Sequence, residues 1–269
     1  LKETNQFVYS NAEFADSFYV NSLGFRDDEI SLERPEIICA GDSYTLGWGV
    51  KQNETFAQLI EKESGLKVLN ASMSSYGTAR ESVAMKKIDP SGIKFIIWQY
   101  APNDADENNA YIDSSYNYSA PSEKQYSSTQ QTHLWATKYF PGKHFLTLTK
   151  LFAGSLVRKS YEEWKKSSLS PRDEAKNFLD ILKNTGINPR VKLIVFELSN
   201  YQMKNEFTNE LKLLLRNDYA KSILQNIQVL DFSTLLKKED YYLLDDHINE
   251  SGHKKIAEVL LNAVKKSAD

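Results

Sequence analysis

Five short apolar runs, rich in β-branched residues, recur at 36–41, 67–72, 93–100, 192–198 and 227–232. Helical patterns lie between them: 55–64 places Phe56, Leu59 and Ile60 on one face, and 78–88 forms a second candidate. Strands that alternate with helices predict a parallel sheet covered on both faces, which is an α/β architecture. The last helix is clearest, because Ile256, Ala257, Val259, Leu260, Ala263 and Val264 make an apolar stripe after Ser251 and Gly252. Further helices are predicted at 144–166, carrying Phe145, Leu148, Leu151, Phe152 and Leu156, and at 172–182.

Between 105 and 142 the apolar pattern fails. The segment is rich in Asn, Ser and Tyr, including Tyr111, Tyr116, Tyr118 and Tyr126. It reads as an irregular insertion, either a lid or substrate wall or a plain solvated loop. No internal repeat and no Pro- or Gly-rich linker divides the chain, so a single domain over 1–269 is expected, with a lead-in at about 1–34.

At 269 residues, with 41% hydrophobic content, the chain can bury a sizeable core. A net charge of -3 gives no electrostatic reason to expect nucleic acid or an anionic membrane surface. No window approaches the roughly twenty apolar residues of a spanning helix. Cys39 is the only cysteine, so no internal disulfide can form, and its apolar surroundings mark it as a buried small hydrophobe. The chain begins at Leu1 rather than Met, which reads as a processed or trimmed product and favours an extracytoplasmic over a cytoplasmic location. Oligomeric state is left open.

In an open parallel sheet, ligands bind beyond the carboxyl ends of the strands. The first run ends in Gly41, Asp42 and Ser43, a turn that delivers a hydroxyl to that edge. The segment from Asn70 to Gly77 follows the second run, and Asn103 and Asp104 follow the third. A serine hydroxyl needs a base within hydrogen-bond reach, most often His. Of four histidines, His133 and His144 lie in or beside the insertion, and His253 reads as a structural contact in the last helix. His247 is left, with Asp245 and Asp246 immediately before it. No metal site is expected, since these three residues lack a further spaced ligand set. Asp42 reads as a brace of its turn, and Trp48 either lines a pocket or packs under the nucleophile loop.

These blocks resemble those of the SGNH, or GDSL-type, hydrolases. The first block matches Gly41, Asp42 and Ser43, extended through Tyr44, Thr45, Leu46, Gly47, Trp48, Gly49 and Val50 as in a subgroup of bacterial members. Asn103 and Asp104 match the Asn-Asp block, the segment from Asp245 to His253 matches the last, and the stretch from Asn21 to Arg26 resembles that subgroup's lead-in. The resemblance implies a three-layer α/β/α, flavodoxin-like fold with a central, mostly parallel five-stranded sheet. It also implies ester hydrolysis through an acyl-serine, without a cofactor.

Carried over, Ser43 would be the nucleophile, His247 the base and Asn103 a side-chain donor to the oxyanion, beside the amides of Ser43 and of a second-block residue. That residue aligns with Ser75 where the family has glycine, and Gly77 is the alternative. Ala101 replaces a glycine often found before the third-block Asn. The family's usual Asp, three residues before the His, falls on Leu244, so Asp245 is the choice for the orienting carboxylate and Asp246 the alternative.

The expected substrate is an acyl ester, acetyl included, of a polar or carbohydrate-like alcohol, a class suggested by the Tyr-, Asn- and Ser-rich insertion. Transfer of the acyl group to a sugar hydroxyl is the alternative, since the first half-reaction is shared. A non-enzymatic flavodoxin-like binding module is the third reading, but the glycines lack dinucleotide or P-loop spacing.

Overall fold

The computed structural model describes residues 5–10, 13–118, 122–137, 142, 145, 149, 169–201, 204–216 and 226–268, without the side chains of 5–10, 133–137 and 268. The chain divides into two compact units, Leu1–Tyr116 with Leu169–Asp269, and Asn117–Ser168.

In the larger unit a hairpin of β1 (Asn5–Ser10) and β2 (Ala15–Val20) precedes the main sheet. The sheet is built from β3 (Ile37–Ala40), β4 (Val68–Asn70), β5 (Phe95–Tyr100), β6 (Lys192–Glu197) and β7 (Ile227–Val229). All pairings are parallel and the order is β4-β3-β5-β6-β7. Each of the five apolar runs therefore forms a strand.

Eight helices lie among the described residues: α1 (Ser43–Leu46), α2 (Phe56–Ser64), α3 (Thr78–Met85), α4 (Asp104–Asp113), α5 (Glu123–Thr137), α6 (Pro171–Thr185), α7 (Glu206–Arg216) and α8 (Glu250–Ala268). Strand periodicity sends alternate side chains to opposite faces. Ile38, Ala40, Ile96, Trp98, Leu193 and Val195 pack with Met85 of α3, Phe178 and Leu182 of α6 and Leu211 of α7. Ile37, Cys39, Phe95, Ile97, Ile194 and Phe196 pack with Phe56 and Ile60 of α2 and with Ile256 and Leu260 of α8. Two cores thus flank one sheet, giving three α/β/α layers. Cys39 is fully buried, and burial pushes its thiol well above the ordinary range.

One expectation is corrected. The segment 105–142 is not irregular throughout, because α4 and α5 lie within it. In α4 the positions that face inward, Asp104, Ala105, Asn108 and Tyr111, keep helical spacing, but half of them are polar. Hydrophobic periodicity cannot register such a helix. The start of α5, in the smaller unit, is signed by Ser122 and Gln125: Gln125 Oε1 accepts the Ser122 amide at 2.8 Å, and Ser122 Oγ accepts the Gln125 amide at 3.3 Å. The helix predicted at 144–166 lies outside the described residues apart from Phe145 and Thr149.

The chain enters β4 on one side of β3 and β5 on the other, so the strand order reverses between β3 and β5. That reversal opens a crevice at the carboxyl ends of these two strands. Ser43 follows β3 and Asn103 follows β5, so the topology brings both to one edge.

Candidate active site

The Gly41-Asp42-Ser43 turn is locally determined. Gly41 has φ +156, and a Cβ there would meet Thr45 Oγ1 at 2.2 Å and Gln99 Oε1 at 2.5 Å, so only glycine fits. Asp42 caps α1 by accepting the Tyr44 amide at 3.0 Å, while Gln99 Oε1 accepts the Asp42 amide at 3.1 Å and the Thr45 hydroxyl at 2.9 Å. Burial pushes the Asp42 carboxyl up to about 6, against the opposing pull of the Tyr44 amide. Asp42 is a brace, as expected of such a turn.

Ser43 Oγ lies 2.7 Å from His247 Nε2, across 204 residues of sequence. On the other side of the ring, His247 Nδ1 lies 2.5 Å from Asp245 Oδ1, which also accepts the His247 amide at 3.0 Å. With the proton on Nδ1, the ring donates to Asp245 and accepts from Ser43. Asp246 Oδ1 is 3.7 Å from Nδ1, beyond hydrogen-bond range, and its side chain is 69% exposed. The rings of Tyr44 and Trp48 flank the imidazole, with centroids at 5.1 and 6.2 Å.

Asp245, Asp246 and His247 bring one potential ligand atom each within 4.8 Å of one another. Both imidazole nitrogens are nonetheless already engaged by Asp245 and Ser43.

Ser75 and Gly77 differ in kind. Ser75 is exposed at φ 62, a left-handed conformation that glycine adopts without strain and serine rarely does. Gly77, at φ -95, is ordinary backbone, but a Cβ there would stand 3.1 Å from the Glu107 carboxyl carbon. The positive φ belongs to Ser75, and the tight packing to Gly77. Among the described residues, neither the Ser75 amide, the Ser43 amide nor the Asn103 side chain donates to a protein acceptor.

The second-block loop is held by polar contacts that hydrophobic patterning could not reveal. Asp104 Oδ2 accepts the Thr78 amide at 3.1 Å, Asn108 Oδ1 the Ala79 amide at 3.0 Å and Glu107 Oε1 the Arg80 amide at 3.2 Å. Three side chains of α4 thus satisfy three successive amides at the start of α3. Burial raises the Asp104 carboxyl well above the usual range, with Asp42 adding to the effect. His253 likewise has a structural partner: its Nδ1 accepts the Phe56 amide at 3.2 Å, and burial drives its imidazole down to about 3.

The lead-in also acquires a function. Arg26 is fully buried and places all five guanidinium donors. Nη1 donates to the carbonyls of Leu46 and Gly47, Nη2 to the Val50 carbonyl and Asp16, and Nε to Gln52. Asp27 Oδ2 accepts the Asn70 amide at 2.9 Å. Beside the Asp-His segment, Tyr201, Tyr241, Leu243, Leu244 and Asp246 line a groove of about 650 Å³.

No protein-family model matches the sequence, and no curated protein matches it by sequence. Among solved structures, a family two carbohydrate esterase from Clostridium thermocellum, in complex with cellohexaose, superposes with a TM-score of 0.54 at 9% identity, over 87% of this chain and 64% of that one. A carbohydrate esterase family 2 enzyme with a carbohydrate binding domain, from Corynascus thermopiles (Myceliophthora fergusii), gives 0.51 at 12% identity, over 94% and 70%. The chain has the SGNH-hydrolase fold. Within that SGNH fold, Ser43 and Asn103 occupy the carboxyl-end edge where the strand order reverses. No helix among the described residues is long and apolar enough to cross a membrane.

Proposed function

We propose that this protein is a serine-dependent ester hydrolase. The observation that carries the reading is the unbroken chain from Ser43 Oγ through the His247 imidazole to Asp245, at 2.7 and 2.5 Å. His247 Nε2 takes the Ser43 proton as Oγ attacks the ester carbonyl carbon, and Asp245 holds the ring and stabilises the imidazolium. The proton then passes to the leaving alcohol, and water, deprotonated in turn by His247, releases the acid from acyl-Ser43. The amides of Ser43 and Ser75 and the side chain of Asn103 are the assigned oxyanion donors, since each follows the carboxyl end of a strand and none donates to a protein acceptor among the described residues.

The substrate class is an acyl ester, acetyl included, of a carbohydrate-like alcohol. The structural likeness to carbohydrate esterases supports that class. The test is turnover of a short-chain aryl ester, with fluorophosphonate labelling and product analysis in the presence of sugar acceptors. Wild type should hydrolyse the ester and be labelled at Ser43, and Ser43→Ala should do neither while remaining folded. Retained turnover by Ser43→Ala removes Ser43 from the mechanism, and transfer of the acyl group to an acceptor sugar replaces hydrolysis with acyl transfer.

A further inference from the structure

The segment that carries Asp245 has little hydrophobic anchoring of its own. Leu243 and Leu244, just before it, are 79% and 78% exposed. Yet its backbone is fixed from 230 residues away. Glu13, in the turn between β1 and β2, accepts three consecutive amides: Oε1 from Leu243 at 2.6 Å, and Oε2 from Leu244 at 2.6 Å and Asp245 at 2.9 Å. Bonds from amides to an ionised carboxylate are among the stronger hydrogen bonds.

The neighbouring residue reinforces the contact. Phe14 packs on Tyr242 with centroids 4.7 Å apart, and the Tyr242 hydroxyl donates to the Gly49 carbonyl at 2.5 Å. The Tyr242 amide in turn donates to the His247 carbonyl at 3.0 Å. The hairpin turn therefore grips the loop from Tyr242 to Asp245.

We propose that Glu13 is a positioning residue of the reaction, acting through Asp245 on the orientation of the His247 ring. The proposal rests on the esterase reading above. Asp245 meets Nδ1 from a loop whose amides at Leu243, Leu244 and Asp245 have, among the described residues, Glu13 as their acceptor, and a carboxylate drifting by about 1 Å can cost 100-fold in rate. Glu13 itself touches no reacting atom.

The test compares Glu13→Ala, Glu13→Gln and Asp245→Ala, singly and with Glu13→Ala combined with Asp245→Ala, on the short-chain aryl ester. Glu13→Ala should lower kcat about 10- to 100-fold with KM little changed. Glu13→Gln, which keeps one acceptor oxygen and nearly the same size, should fall between it and wild type. In the Asp245→Ala background, Glu13→Ala should cost nothing further, whereas a merely structural role would cost the same in both backgrounds.

A second readout needs no turnover. The proton NMR spectrum of the wild type should show a downfield His247 Nδ1–H resonance that Glu13→Ala abolishes, with circular dichroism unchanged. Full kcat in Glu13→Ala while Ser43→Ala is inactive overturns the proposal and leaves the esterase reading standing. An unaltered Nδ1–H resonance in Glu13→Ala overturns it even if the wild type hydrolyses no ester.

Discussion

Arg26 Nη1 donates to the Gly47 carbonyl at 2.6 Å, joining the lead-in to the loop that follows α1. The same guanidinium serves Leu46, Val50, Gln52 and Asp16, and burial lowers it to about 10 against the pull of Asp16. Lysine offers three donors from a single point and cannot span this set. Arg26→Lys keeps the charge but loses at least two of these donors, so it should cost about 2–6 kcal/mol of stability, at about 1–3 kcal/mol for each buried acceptor left unsatisfied. Urea unfolding measures it, and a loss below about 1 kcal/mol would mean that the loop carbonyls find other donors.

Asp245 and Asp246 are adjacent, but only Asp245 reaches the imidazole. Asp245→Asn removes the charge and presents an amide that can select the wrong tautomer, so kcat should fall by up to about 10⁴-fold. Asp246→Asn alters an exposed carboxylate and should stay within about threefold of wild type. Steady-state kinetics on a short-chain aryl ester separates them, and the reverse ranking would reassign the orienting role.

The parts of the fold legible in the sequence are those with hydrophobic period. The five strands alternate between two cores, and the apolar stripe of α8 packs on one of them. The order of the blocks along the chain made Ser43 and His247 candidates, but two neighbouring aspartates on a turn differ only in where the backbone aims them. Long-range polar contacts left no pattern at all. Glu13 meets the segment 243–245 through backbone amides, Arg26 meets backbone carbonyls, and α4 is set by Asp104, Glu107 and Asn108 on amides of α3. Any residue type presents the same amide or carbonyl, so the partner's sequence carries no mark of such a contact.

His253 supplies a pH dependence with a definite sign. Its imidazole is driven down to about 3 by burial, from an ordinary value of 6.5. The unfolded chain therefore binds more protons between these limits, and the stability due to neutral His253 is complete above about 6.5 and lost as pH falls toward 3. Asp27 and Glu197, both raised to about 7 by burial, act in the opposite direction over part of that range. A difference measurement removes them. His253→Asn keeps an acceptor for the Phe56 amide and does not titrate, so wild-type stability minus variant stability should fall by about 1.4 kcal/mol per pH unit below 6. Parallel unfolding free energies from pH 7 to 4 would place the protonation of His253 elsewhere.

Ser75 and Gly77 can be told apart by opposite substitutions. At φ 62, Ser75→Gly relieves backbone strain and keeps the amide, so stability should rise by up to about 1 kcal/mol and turnover should stay within about threefold. Ser75→Val puts a β-branched residue into the same left-handed conformation; the chain must move, and with it the proposed oxyanion donor, which should cost about 100-fold or more in kcat. Gly77→Ala has an allowed φ but drives a methyl to within 3.1 Å of the Glu107 carboxyl carbon, where Glu107 also pairs with Arg80. Its cost should appear as about 1–2 kcal/mol of stability, with a smaller effect on kcat. Thermal unfolding and single-turnover kinetics on the three variants make the comparison. A large kcat loss in Gly77→Ala beside an unaffected Ser75→Val would move the oxyanion amide from Ser75 to Gly77.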